Sequence, residues 1–209
     1  MSYFLLKLFA AWQGVSLSQM AASSSEGHEA VAKLLCDAGA AKDQAAKDRQ
    51  TPLWIAASQG HEAVAKWLCD AGAAKDEADK DGATPLSMAA NKGHGAVAEV
   101  LCNAGAAKDE ANEGGQTPLW IASFKGHEAI VKLFCDAGAA KDQADTYDNT
   151  PLSMAASEGH EAVAKLLCDA RAAKDQADEG GQTPLWIAAF RNPLRSFGIR
   201  GPLRSFGVL

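Results

Sequence analysis

Residues Thr51 to Ala73 read TPLWIAASQGHEAVAKWLCDAGA, and the fold follows from this stretch. Thr51 is placed to cap a helix. Pro52 stands at that helix's first position, where a missing N–H costs nothing because first-turn donors have no intrahelical partner. Leu53, Ile55, Ala56 and Ala57 then make a short apolar helix, which Gly60 ends. A second helix is expected from about Glu62, whose charge complements the positive end of the helix dipole. Val64, Trp67 and Leu68 fall at i, i+3 and i+4, a one-sided apolar stripe. Ala71-Gly72 closes this helix, since glycine enters the left-handed conformation without steric cost. Lys75 to Gly82, KDEADKDG, is a polar turn segment leading to Thr84. Two helices this short cannot bury their apolar faces alone; stacked neighbours can.

The chain supplies those neighbours. Thr-Pro-Leu occurs at 51–53, 84–86, 117–119, 150–152 and 183–185, at a constant interval of 33 residues. Gly-His recurs at the same interval from 27–28 to 159–160, and so do Cys36, Cys69, Cys102, Cys135 and Cys168. The pattern T-P-L-x-x-A-A-x-x-G-H-x-x-V-x-x-x-x-x-x-A-G-A resembles the ankyrin repeat, whose unit is a turn plus two helices. The resemblance covers about residues 18–190. It implies an all-α helix–turn–helix solenoid with short turn or hairpin segments, and a protein that binds other proteins.

Four units are complete, at 51–83, 84–116, 117–149 and 150–182, which exceeds the roughly three needed for a stable stack. A degenerate unit at 17–50 precedes them. Half a unit, 183–190, follows. Segment 1–16 is apolar, with Phe4, Leu5, Leu8, Phe9 and Trp12 at helical spacing, and is expected to form a capping helix. Lys7 interrupts it and no basic region precedes it, which weighs against a secretory signal. Segment 191–209 is a basic tail in which Pro-Leu-Arg-Ser-Phe-Gly occurs at 193–198 and again at 202–207.

A second period overlays the first. The two residues after Thr-Pro-Leu alternate Trp54-Ile55, Ser87-Met88, Trp120-Ile121, Ser153-Met154 and Trp186-Ile187, the mark of a duplicated 66-residue pair. The ankyrin pattern has histidine where these tryptophans and serines stand, which leaves open what replaces that histidine's hydrogen bonding.

Composition limits the chemistry. The net charge of −6 divides into 26 acidic against 16 basic residues up to Phe190, a balance of −10, and four arginines without an acid beyond it. An acidic body argues against nucleic acid as a ligand. No stretch approaches the ~18 consecutive apolar residues of a membrane span. His61 and Cys69 lie roughly 12 Å apart along a helix axis, and equivalent helices about 8–10 Å apart, distances too long for a disulfide or for shared zinc. The cysteines therefore read as small hydrophobes, and reduced thiols suit a cytoplasmic setting. Every histidine has the same repeat phase, so none stands out as a general base. No nucleophile elbow, phosphate loop or zinc-protease motif occurs. Residues 77–82 lack the glutamate a calcium loop needs at its twelfth position, which here is Met88. No enzyme activity, cofactor or metal is expected.

Positions shared by all units serve the stack, and positions that differ are candidates for recognition. They cluster in the turn before Thr-Pro-Leu and at the end of the first helix, which in ankyrin-like units line the concave face. They include Lys47, Gln50, Lys80, Asp81, Asn91, Lys92, Glu113, Gln116, Phe124, Lys125, Tyr147, Asn149 and Glu158. Phe124 and Tyr147 are large aromatics where sister units carry small or polar residues, and such anchors concentrate interface energy. The expected function is a monomeric protein-interaction scaffold or adaptor. The alternative is a membrane-associated tether using the apolar N-terminus.

Overall fold

The computed structural model of the protein describes residues 41–191. The expected capping helix in 1–16, most of the degenerate unit, and the tail beyond Arg191 lie outside them. Among the described residues the chain forms nine α-helices and no strand, preceded by a 3-10 turn, Lys47–Arg49. The helices pair within units: α1 (Pro52–Gln59) with α2 (Glu62–Asp70), α3 (Pro85–Lys92) with α4 (Gly95–Asn103), α5 (Pro118–Lys125) with α6 (Glu128–Asp136), and α7 (Pro151–Glu158) with α8 (Glu161–Asp169). The half unit contributes α9, Pro184–Arg191.

Each first helix starts and stops by the same chemistry. The threonine hydroxyl accepts the N–H three residues on, from Thr51 to Trp54 at 3.1 Å, and equally at Thr84, Thr117 and Thr150. Gly60 ends α1 at φ 79°, a conformation that penalises any side chain. The second helices close on an alanine followed by a left-handed residue, Gly72 at φ 72° after α2.

Packing uses small residues for approach and large ones for filling. Ala56, Ala57 and Ala65 are fully buried, so first and second helices meet closely around Leu53 and Leu68. Phe134 fills in α6 the buried position that Leu68, Leu101 and Leu167 fill elsewhere. Trp54 is buried while Ile55 is only half-buried, the reverse of the order the apolar pattern of α1 suggests. First helices of successive units pack more closely than second helices do, which makes the first-helix layer the inner one.

The C-terminal unit carries two defects. Arg171 holds φ 66° where the sister units place Gly72, Gly105 and Gly138. The half unit leaves Leu185 76% exposed, against 0–4% for its four equivalents. Arg171→Gly should raise stability by about 1 kcal/mol, measured by urea unfolding, because a non-glycine residue loses roughly that in the left-handed region. Hydrogen exchange should show 150–191 opening before 84–149, since solenoid stability sums local unit and neighbour terms. Uniform protection would mean the last unit is covered.

Candidate functional site

The inner face and loop tips are positioned by contacts between units. The His94 imidazole at the start of α4 reaches back to the Ser58 carbonyl in α1 at 3.2 Å. His127 does the same to Asn91 at 3.4 Å, and His160 to Phe124 at 3.0 Å. A carbonyl only accepts, so Nε2 carries the proton in each ring. Each ring also lies against the glycine that ends the previous first helix. A Cβ on Gly60 would stand 2.7 Å from His94 Nδ1, and one on Gly126 2.6 Å from His160. His61 Nε2 is buried with no partner among the described residues; the residue 36 positions earlier, the spacing of the other three pairs, is Ser25.

Two further ladders run along the array. Asp43, Asp76, Asp109 and Asp142 each accept the backbone N–H 31 residues on, at Ala74, Ala107, Ala140 and Ala173, at 2.7–2.8 Å. The loop tips are joined by single backbone bonds, from Lys80 N–H to the Asp48 carbonyl at 3.1 Å and from Thr146 N–H to Gly114 at 3.1 Å. Within each tip a carboxylate or amide oxygen gathers the loop's own N–H groups. Asp79 takes those of Asp81 and Ala83, Asn112 those of Gly114 and Gln116, and Asp145 those of Tyr147 and Asn149.

The residues proposed for recognition separate on this frame. Lys80, Asp81, Lys92, Glu113, Lys125 and Tyr147 are exposed, Tyr147 at 64%. Lys80 Nζ lies 3.2 Å from Asp48 Oδ1, and that carboxylate holds its ammonium above the usual range. Lys47 opens the 3-10 turn, and Gln50 is half-buried with its carbonyl bonded to Ala46 N–H. Gln116 and Asn149 serve as loop braces: Gln116 Oε1 accepts from Asn112 Nδ2 at 3.1 Å, and Asn149 Nδ2 donates to Asp145. Asn91 is half-buried beneath its bond from His127, and Glu158 is half-buried at the end of α7. Phe124 is half-buried, its ring stacked on Trp120 at 5.5 Å with Lys125 Nζ 5.2 Å from the ring centre.

Sequence reading missed a second aromatic pair. Trp186 and Phe190 stack at 4.8 Å in α9, both exposed, with the same i, i+4 spacing as Trp120 and Phe124. Their 66-residue offset was the available signal. Cys69, Cys102, Cys135 and Cys168 are half-buried against the core, and burial pushes the first three thiols up. Among the described residues no cluster of metal-ligating side chains occurs, and no helix is long and apolar enough to cross a membrane.

The family model for ankyrin repeats in three copies matches residues 17–112, 74–145, 104–178 and 138–196. With helix pairs, glycine-ended first helices and histidine links between the four complete units, the chain belongs to the ankyrin-repeat family, whose members generally mediate protein–protein interaction. No curated protein matches it.

Gly126→Ala should destabilise by at least about 1 kcal/mol more than Gly138→Ala, since both hold positive φ but only the first meets a histidine ring. Equal losses in denaturant titration would remove the histidine–glycine contact from the stacking argument. The raised thiols give a pH dependence of definite sign. Their protonated form is favoured by folding, so that stability is complete below the ordinary thiol value, 9.0, and is lost as pH rises past it through the raised value of the folded state. The urea midpoint should therefore fall between pH 8 and 10 (roughly that window), and less steeply in a Cys69→Ala/Cys102→Ala/Cys135→Ala variant.

Proposed function

We propose that this protein is a scaffold or adaptor that holds a protein partner against its inner face and loop tips, as a cytoplasmic monomer without a cofactor. The observation that carries the reading is a division of labour among side chains. The repeated residues are consumed by links between units, through His94, His127 and His160 and the aspartate ladder. The residues that vary, Tyr147, Lys80, Glu113 and Lys125, are exposed at the loop tips and helix ends. Tyr147 is the large aromatic most open to a partner at the loop tips, and Phe124 is half-buried at the end of α5. Aromatic anchors surrounded by polar groups are the usual composition of a binding patch.

Capture of a partner from the native source, followed by calorimetry, tests this reading. Phe124→Ala combined with Tyr147→Ala should weaken binding by more than about 1 kcal/mol, roughly fivefold or more in Kd, with helicity unchanged. Normal binding by the double variant would displace the partner from this face.

A further inference from the structure

The 66-residue alternation places tryptophan or serine at one inner-helix position, and the two behave differently. The Trp54 and Trp120 indoles are buried and donate to the carbonyl 29 residues on, at Ala83 and Asn149, both at 2.9 Å. A carbonyl oxygen has two lone pairs. In each of these, one serves the loop N–H, of Asp79 or Asp145, and the other the indole. Ser153, at the same position of α7, turns its hydroxyl back to the Thr150 carbonyl at 2.9 Å. The carbonyl 29 residues beyond it is that of Gln182, which keeps the loop bond from Asp178 N–H at 3.1 Å and has no indole to accept; Ser87 and Gln116 repeat this arrangement one pair earlier.

Between Ser153 and Gln182 lies a cavity of ≈ 200 Å³, also bordered by Asn149, Met154, Asp178 and Ile187. Its two defining walls are the position that bears the indole in sister units and the position that accepts its hydrogen bond. It lies between α7 and the loop entering α9, with the Trp120–Phe124 stack on the inner helix before it and the Trp186–Phe190 stack on the one after.

We propose that this cavity is a recognition pocket for a tryptophan side chain of the protein partner, which would complete in trans the contact that Trp54 and Trp120 make in cis. The proposal rests on the scaffold reading above and names the chemistry of its partner. An N–H donor suits a carbonyl with a spare lone pair, which favours indole over phenyl. The chain's own last 18 residues contain phenylalanine but no tryptophan, so they do not supply this group.

N-acetyltryptophanamide titrated into the full chain, followed by amide NMR shifts, is the test. The expected result is saturable shifts at Ser153, Met154, Gln182 and Ile187. The 1-methylindole analogue, which cannot donate, should bind at least about fivefold more weakly because the carbonyl stays unpaired. Ser153→Trp should abolish the shifts while keeping helicity, its own indole occupying the slot. Absence of saturable shifts in the wild type, equal affinity for the methylated analogue, or undiminished binding by a folded Ser153→Trp variant would each overturn the pocket. If that variant does not fold, the analogue comparison on the wild type decides. No partner enters these measurements, so their failure removes the pocket alone, while the scaffold reading depends on the Phe124/Tyr147 variant.

Discussion

Units 84–116, 117–149 and 150–182 each meet the one before through a histidine ring laid on a glycine. The ring needs Gly60, Gly93 and Gly126 bare, because a Cβ there would enter the space it occupies. The same glycines must also be left-handed to end their helices. One residue type thus satisfies a backbone and a packing demand at once, and the hydrogen bond from the ring to the previous helix fixes the spacing between units. The aspartate ladder and the joined loop tips follow that spacing, since their partners come within reach only when the inner helices are in register.

Local chemistry made most of the fold legible in advance. Threonine caps, proline at the first turn, and glycine after each helix act within a few residues, so Thr51-Pro52 and Gly60 placed α1 as observed. Arg171 takes the left-handed state of the glycines at its sister positions. What escaped were contacts spanning more than thirty residues. The links from His94 to Ser58 and from Asp76 to Ala107 join positions that sequence reading treated as separate features of two units.

The candidate surface was legible only in outline, for a related reason. Variation between units marks where a side chain is released from a repeated duty, but not whether a new local duty has captured it. Gln116 and Asn149 vary and yet are held by Asn112 and Asp145 inside their own loops. Tyr147 varies and is open. The missing family histidine after Thr-Pro-Leu proved to have a substitute in alternate units, where the indole of Trp54 or Trp120 bonds forward to the loop entering the next unit.

Three kinds of link between units share a direction, while the forward indole bonds of Trp54 and Trp120 run the other way. The histidine N–H, the alanine N–H on the aspartate ladder, and the loop-tip N–H all belong to the later unit, and their acceptors to the earlier one. A cut between two such units would therefore leave these donors on one surface and their acceptors on the other. Along the described units the array therefore has a polarity like that of a helix. Two like cut surfaces would set donor against donor or acceptor against acceptor, and only unlike ones match, which is the head-to-tail, heterologous relation.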